Sequence, residues 1–283
     1  MNQSELAKKL GISRQRVSQL IKGGATKESL LSRVVQTKSR FVPSFETRSV
    51  SKMAQEIGIS RDTLSSRLRL GLYGRRQHAI WLSFDVKATG PTAGSHVILS
   101  LGVVAYDGMT FEEVDSWEAN LSREYHVTGM TCAWDDDTLR WWENPERENA
   151  YKITTSNPQD PKVAIPNLVK WLKMLRKKCD NWPIIWAAWP ATLDMPFVSL
   201  YCHMFARTAW ERLCKDNPMQ CVAAFDIKSY MLASMQIEYH GDVEHDLPAR
   251  WTAENPMPHV AINDARAQGQ MLMRMLWETP SKV

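Results

Sequence analysis

Residues 84–90 read Phe84-Asp85-Val86-Lys87-Ala88-Thr89-Gly90 and extend the apolar run that begins at Ala79. A short apolar run rich in large side chains predicts a buried β-strand, and Asp85 stands where this run ends. The runs at 97–106 and 111–121 predict two more strands, and short connections between the three runs predict an antiparallel meander. Residues 79–121 are therefore predicted to form a three-stranded sheet.

Helices and strands alternate after the meander. Helices are predicted near 137–152 and 163–178, after Pro196, and from 259 to about 277, with strands at 183–188 and 224–226. Three meander strands followed by alternating helices and strands predict an α/β fold with a mixed sheet flanked by helices.

Two further segments bring polar residues to the ends of predicted elements. The segment from Trp186 to Asp194 is interpreted as a strand that delivers a carboxylate. The segment His259-Val-Ala-Ile-Asn-Asp264-Ala opens the last predicted helix. Carboxylates that converge from separate elements suit hard divalent cations, and a nearby histidine can accept a proton. These residue types predict a metal-dependent phosphodiesterase.

The charge of the chain changes sign near residue 78. Residues 1–78 carry 16 Lys and Arg against 5 Asp and Glu, whereas residues 79–283 carry 19 against 26. A basic segment joined to an acidic one predicts a small polyanion-binding module in front of a larger domain. The predicted boundaries are 1–78 and 79–283, and 283 residues suffice for both.

Several classes of protein are disfavoured by composition. The sequence has no run of about 18 apolar residues, as a membrane span requires, and residues 1–9 lack the apolar core of a secretory signal. Its five cysteines include no Cys-x-x-Cys pair, which argues against a disulfide framework and a thiolate zinc site. We expect a cytoplasmic protein without a membrane partner.

The basic segment contains an internal repeat. Residues 6–20 align with residues 53–67 at a constant offset of 47, so that Ala7, Gly11, Ser13 and Val17 match Ala54, Gly58, Ser60 and Leu64. In each copy the glycine can end a first helix, and the serine can cap a second. The segments resemble the helix-turn-helix of phage repressors, which implies that the second helices contact DNA through Arg14, Gln15, Arg16, Arg61 and Arg67. A structural or dimerising αα-hairpin is the alternative.

The larger part resembles the DEDDh 3′–5′ exonucleases of the ribonuclease H-like superfamily. Phe84-Asp85-x-x-Ala88-Thr89-Gly90 is similar to their first motif, the segment ending at Asp194 to their second, and His259-x-Ala-x-x-Asp264-Ala265 to their third. Asp137-Thr-Leu-Arg-Trp-Trp142 and Cys221-Val222 resemble the phage-encoded branch. The likeness covers residues 79–278 and implies a ribonuclease H-like fold.

The resemblance also implies a mechanism and a set of roles. Two Mg²⁺ or Mn²⁺ ions about 4 Å apart would stabilise the attacking and leaving oxygens of the phosphodiester. Asp85, Asp194 and Asp264 would bind these ions, and His259 would take the proton from the attacking water. The implied substrate is a nucleic acid with a free 3′ end, with DNA favoured over RNA.

Lys87 departs from the pattern of this family. The first motif of the family is Asp-x-Glu, and the two-residue period of a strand puts positions 85 and 87 on the same face. Lys87 removes a carboxylate and adds a cation, which predicts weak metal binding and an inactive or impaired chain. An inactivating substitution, a naturally degenerate nuclease and a substitute carboxylate, such as Asp226 or Asp242, are all compatible with the sequence.

Other residues are assigned secondary roles. Trp189 is the aromatic side chain predicted to contact substrate, by stacking on an unpaired base. Asp135, Asp136 and Asp137 are interpreted as the N-terminal cap of a helix. The competing hypothesis for the whole chain is a non-catalytic DNA-binding regulator that retains the exonuclease fold as a binding platform.

Overall fold

The computed structural model describes residues 48–56, 60–70, 78–125, 133–213, 223–235 and 247–278. The chain divides into two compact units. The first comprises Met1–Arg75 with Glu278–Val283, and the second comprises Arg76–Trp277. Among the described residues, no helix combines the length and the apolar character that crossing a membrane requires.

In the first unit, the second copy of the repeat forms two helices, α1 (Val50–Glu56) and α2 (Arg61–Leu70). Ala54 and Leu64 are buried, as the repeat predicts. Ser60 caps α2, because its Oγ accepts a hydrogen bond of 3.1 Å from the Thr63 N–H. Arg61 is exposed at the start of α2. Predictions outside the described residues concern Arg14, Gln15, Arg16, Gly58, the Arg67 side chain, Cys221-Val222 and Asp242.

The second unit is built on a five-stranded mixed sheet with the order β3-β2-β1-β4-β5. Its strands are β1 (Ile80–Ala88), β2 (Ile98–Asp107), β3 (Glu113–Asn120), β4 (Ile184–Ala188) and β5 (Phe225–Asp226). The first three pair antiparallel, as predicted for a meander, and β4 and β5 add in parallel to β1. The predicted class, an α/β fold with a mixed sheet flanked by helices, is confirmed.

Six helices accompany the sheet in the described residues. They are α3 (Asp136–Trp142), α4 (Glu148–Thr154), α5 (Pro161–Lys178), α6 (Ala191–Leu213), α7 (Ile227–Met235) and α8 (Ala261–Glu278). The prediction of one helix over 137–152 is wrong, because Asn144 and Pro145 start a separate 3₁₀ turn. The Asn144 side chain accepts a hydrogen bond from the Glu146 N–H, and proline has no N–H to continue a helix.

The start of α6 corrects a second prediction. Asp194 lies in the first turn of this helix, and the strand expected to carry it, β4, ends at Ala188. The sequence predicted that this helix starts after Pro196, but it begins at Ala191. Asp226 Oδ2 accepts a hydrogen bond of 2.8 Å from the Ala191 N–H. This cap comes from 35 residues further along the chain, so the local pattern does not contain it.

The two faces of the sheet are covered by different helices. Leu82, Phe84 and Val86 of β1 point into the main hydrophobic core, which is completed by buried side chains of α5 and α6. On the other face, α8 approaches β2 so closely that a Cβ on Gly102 would lie 2.4 Å from the Ile262 backbone nitrogen. Gly102 pairs with Asp85, so the alternate residues of β1 turn their side chains towards α8.

Candidate functional site

Asp85 and Lys87 begin the site at the end of β1. They lie two residues apart on one face of the strand, as the sequence predicts, and this face meets α8. Gln268 of α8 donates a hydrogen bond of 3.2 Å through Nε2 to Asp85 Oδ1. Asp85 is only 6% exposed, because the sheet and α8 close over it.

Lys87 joins the carboxylates of two elements. Its Nζ donates a hydrogen bond of 2.6 Å to Asp264 Oδ2 and lies 2.9 Å from Asp85 Oδ2. The three side chains are 8–14% exposed, so the group is largely screened from solvent. A lysine can reach both carboxylates because β1 and the first turn of α8 face each other at this edge of the sheet.

Asp194 closes the site from the side of α6. Its Oδ1 accepts a hydrogen bond of 2.9 Å from the Val86 N–H, so it contacts β1 between Asp85 and Lys87. The residue is 2% exposed. The early start of α6 produces this contact by putting Asp194 in the first helical turn, beside the end of β1.

Asp264 organises the segment that leads into α8. Its carboxylate accepts the His259 backbone N–H at 3.1 and 3.2 Å, and it accepts the Asn255 side-chain amide at 2.7 Å. The prediction that His259 lies on the helix is wrong, because α8 begins at Ala261 and His259 has a φ of 70°. The hydrogen bond from its N–H holds His259 in this left-handed conformation, which is uncommon for a residue with a side chain.

The imidazole of His259 packs against an aromatic side chain of α3. Its ring lies edge-on to Trp141, with 4.8 Å between the ring centroids. On Trp141, the Arg147 guanidinium lies 4.2 Å from the ring centroid and also donates a hydrogen bond to the Trp141 carbonyl oxygen. Trp141 thereby connects the segment before α8 with the segment between α3 and α4.

The electrostatics of the site follow from burial and from the single ammonium. Burial raises the pKa of Asp85 to about 6, although the attraction of Lys87 opposes this shift. For Asp194, burial and then the neighbouring Asp85 raise the pKa well above its usual value. Burial disfavours the charged form of Lys87, but Asp85 and Asp264 outweigh it and raise its pKa. Lys87 is therefore a permanent cation between the carboxylates.

A cavity of about 210 Å³ opens beside these carboxylates. Its wall is mostly apolar, and it includes Lys87 and Asp194 at the polar end and Trp141 and Leu193 at the rim, which are 37% and 41% exposed. The remaining lining residues are Val86, Ala88, Gly90, Pro91, Thr138, Trp142 and Phe197. A flat apolar group such as a nucleobase suits this wall, and the polar end suits a sugar or a phosphate.

The residues present do not fit the two-metal site that the resemblance implies. Asp85 Oδ2 lies 2.9 Å from the ammonium of Lys87, which takes the position that a cation would need. The same ammonium bonds to Asp264, so a cation of the protein itself occupies the space between the two carboxylates. No group of three or more His, Cys, Asp or Glu residues with metal-binding geometry occurs in the described part of the chain.

The structure brings together most of the site residues that the sequence predicts. Asp85, Lys87, Asp194 and Asp264 meet at one edge of the sheet, and His259 adjoins them through Asp264 and Trp141. Trp189 is half-buried and does not line the cavity. Asp226 caps α6 and α7 through the N–H groups of Ala191 and Ser229, so it does not replace the missing carboxylate. Asp135 caps α3, as predicted.

Sequence reasoning assigned no role in the site to four of its contributors. Trp141 and Leu193 form the rim of the cavity, and Asn255 and Gln268 hold the carboxylates. Gln268 lies four residues after Asp264, so helical spacing could have put it on the same face of α8. Leu193 precedes Asp194 directly, but its contribution depends on the helical start of α6, which the sequence did not predict.

Comparisons with known proteins support the two resemblances that the sequence predicts. Residues 1–36 match the helix-turn-helix family. The chain is 22% identical, over 203 residues, to the 3′–5′ DNA exonuclease Cap18 of Escherichia coli, and the alignment covers 70% of this chain and 91% of that protein. The predicted resemblances to helix-turn-helix proteins and to 3′–5′ exonucleases are thus confirmed.

Solved structures of exonucleases are also similar to this chain. One is a 3′-exonuclease described in 3′-end recognition of the histone mRNA stem-loop, with a TM-score of 0.42, 13% identity, and coverage of 84% of this chain and 83% of the other. Another is the nuclease domain of 3′hExo, a DEDDh family member bound to rAMP, with a TM-score of 0.37, 15% identity, and coverage of 70% and 91%.

Proposed function

We propose that residues 79–283 form a DEDDh-type 3′–5′ exonuclease domain whose metal-dependent hydrolysis is blocked in this chain by Lys87. The observation that carries this proposal is the Lys87 ammonium, which lies 2.9 Å from Asp85 and 2.6 Å from Asp264. The site would still receive the 3′-terminal nucleotide of a nucleic acid, with DNA favoured over RNA. Similarity to a 3′–5′ DNA exonuclease supports this choice of substrate.

The block follows from charge and from ligand number. Two-metal hydrolysis needs two divalent cations held by carboxylates that converge on one point. Position 87 supplies a positive charge where that chemistry needs a negative one. Two unit charges 4 Å apart interact by about 4 kcal/mol at an effective dielectric constant of 20, and a dication doubles this repulsion. Asp85, Asp194 and Asp264 would then serve to hold Lys87 and the end of β1.

Residues 1–78 would hold the chain on duplex DNA. The match of residues 1–36 to the helix-turn-helix family supports this role for the first copy of the repeat. For the second copy, support comes from the capped start of α2 and the exposed Arg61. Arg14, Gln15, Arg16 and Arg67 are proposed contacts by their place in the repeat.

A nuclease assay tests the proposal. The native chain and its Lys87→Glu variant are incubated with Mn²⁺ and single-stranded DNA, duplex DNA or RNA labelled at the 5′ end. We expect a ladder of products shortened from the 3′ end with the variant only. A Lys87→Gln variant controls for loss of the ammonium without gain of a carboxylate. Equal ladders from the native chain and Lys87→Glu would contradict the block.

A second candidate is a non-catalytic DNA-binding regulator. It is favoured by the same ion pairs of Lys87 together with the helix-turn-helix match. The nuclease assay separates the two candidates, because a regulator whose site has lost its chemistry would yield no ladder with either variant. Retained DNA binding in that case would support the regulator.

A further inference from the structure

Helix α5 carries a concentration of positive charge in an acidic domain. Its 18 residues include Lys162, Lys170, Lys173, Arg176, Lys177 and Lys178 but no Asp or Glu. Residues 79–283 as a whole carry 19 basic against 26 acidic residues. About a third of the basic residues of this domain therefore lie on one helix.

Four of these lysines lie along one exposed face of α5. At 3.6 residues per turn, positions 162, 170, 173 and 177 fall within an arc of about 80° over a length of about 22 Å. All four are exposed, and the opposite side of α5 is buried in the core. Lys162, Lys170, Lys173 and Lys177 are called the lysine stripe below.

The side chains of the lysine stripe form no ion pair with an Asp or Glu among the described residues. By contrast, Lys152 of α4 pairs with Glu148. On the neighbouring strand β3, Glu113 pairs with Arg266 of α8, on the other face of the sheet. Asp160 caps α5 beside Lys162, but its carboxylate accepts the Lys162 backbone N–H and not the side chain. The four ammonium groups therefore face solvent without an ion-pair partner among the described residues.

The stripe begins at the edge of the sheet that holds the site. In register across the sheet, Lys87 pairs with Ser100, and Ser100 pairs with Asn120. Gln159 then donates a hydrogen bond of 2.8 Å to the Asn120 carbonyl oxygen, just before α5 begins. Three spacings of about 4.8 Å put Gln159, two residues before α5, about 14 Å from the Lys87 backbone along this edge. Helix α5 itself covers the sheet face opposite the one that Lys87 shares with α8.

We propose that the lysine stripe binds the sugar-phosphate backbone of a nucleic-acid strand whose 3′ end enters the cavity at Lys87. This inference rests on the proposed function for the entry of the 3′ end. Ammonium groups aligned on one helix face without ion-pair partners complement a polyanion, and they contact phosphates without reading bases. The lysine stripe leads away from the site along α5. It would therefore strengthen the binding of long strands and not that of the terminal nucleotide.

The test measures binding of the full chain to a 20-nucleotide oligothymidylate labelled at its 5′ end, without divalent cations, between 50 and 300 mM KCl. A single strand limits the contribution of the helix-turn-helix module, which docks in the major groove of duplex DNA. The native chain is compared with a variant that carries K162Q, K170Q, K173Q and K177Q. Lys152→Gln is the matched control, since this lysine is exposed and already paired.

We expect the slope of log K against log[salt] to become shallower by about 2 to 3 in the fourfold variant, because each phosphate that a lysine neutralises contributes about 0.7 to the slope. The affinity of the fourfold variant for the 20-nucleotide strand at 100 mM KCl should fall at least 10-fold. The Lys152→Gln variant should bind this strand as the native chain does. With a 4-nucleotide ligand, the native chain and the fourfold variant should bind equally well. An unchanged slope in a fourfold variant with the native melting temperature would overturn the proposal and leave this face to an acidic protein partner.

The result is independent of the nuclease assay. A shallower slope in the fourfold variant, without a product ladder from Lys87→Glu, would support phosphate binding by the lysine stripe and overturn the exonuclease proposal. A ladder from Lys87→Glu with an unchanged slope would do the opposite. Glutamine retains the helix propensity of lysine, so the fourfold variant should keep α5 folded, and circular dichroism checks this.

Discussion

The Lys87 ammonium lies 2.6 Å from Oδ2 of Asp264, a residue 177 positions further along the chain. This contact connects the end of β1 with the first turn of α8, and Asp85 adds a second carboxylate at 2.9 Å. In this chain, the positive charge between Asp85 and Asp264 belongs to a side chain of the protein. The site should therefore depend on Lys87 for stability and be indifferent to added divalent cations.

The first prediction concerns the contribution of Lys87 to stability. Lys87→Met keeps the aliphatic length but leaves Asp85 and Asp264 without their cation in a largely buried position. Removing one partner of a buried ion pair costs about 3 to 5 kcal/mol, so urea unfolding followed by tryptophan fluorescence should show a fall of about 3 kcal/mol in the free energy of unfolding. Lys152→Met is the exposed control, and an equally small change in both variants would be inconsistent with a structural cation.

The second prediction concerns the aromatic side chain at the rim of the cavity, which we expect to stack on a nucleobase. Trp141 lines the cavity, whereas Trp189 does not. Loss of base stacking costs about 1 to 3 kcal/mol, so Trp141→Ala should weaken binding of a short single-stranded DNA about 10-fold. Fluorescence anisotropy with a 4-nucleotide ligand measures this. Trp189→Ala serves as the comparison, and a larger loss with that variant would support the assignment of the base contact from sequence alone.

The third prediction concerns the close approach of the sheet and α8. A Cβ on Gly102 would lie 2.4 Å from the Ile262 backbone nitrogen, and backbone cannot rotate away. Gly102→Ala should therefore destabilise the chain by about 1 to 3 kcal/mol through overpacking. The substitution should also displace Asp264 from Lys87, because the added Cβ pushes on Ile262, two residues before Asp264 in the first turn of α8. Ser116→Ala, at an exposed position of β3, is the control, and identical melting temperatures for the two variants would argue against this packing.

The sequence predicted the strands of the sheet better than the helices around the site. The apolar run that forms β1 and the alternation in the meander are local signals. They were sufficient to predict an antiparallel meander within a mixed sheet. Asp85, Lys87 and Asp264 were also found locally, because each lies in a short motif at the end of an element. What local patterns lacked was the partner of each polar group across the fold.

Asp194 and Trp141 illustrate this limit. Asp194 lies on α6 because Asp226 caps that helix from a distance of 35 residues. Arg147 folds back onto Trp141 at the rim of the cavity because Asn144 and Pro145 end the helical run that the sequence predicted to continue to 152. In both cases a hydrogen bond or a missing N–H overrides helical periodicity, and the consequence is a change in which side chains meet at the site.

Direct measurement of Mn²⁺ binding tests the central claim, that Lys87 takes the place of a metal ion. Titration calorimetry is performed on the native chain, Lys87→Gln and Lys87→Glu under the same conditions. We predict no Mn²⁺ binding at this site by the native chain and binding by Lys87→Glu, which gains a carboxylate and loses the ammonium. Binding of Mn²⁺ by the native chain with the stoichiometry and affinity of Lys87→Glu would contradict the account.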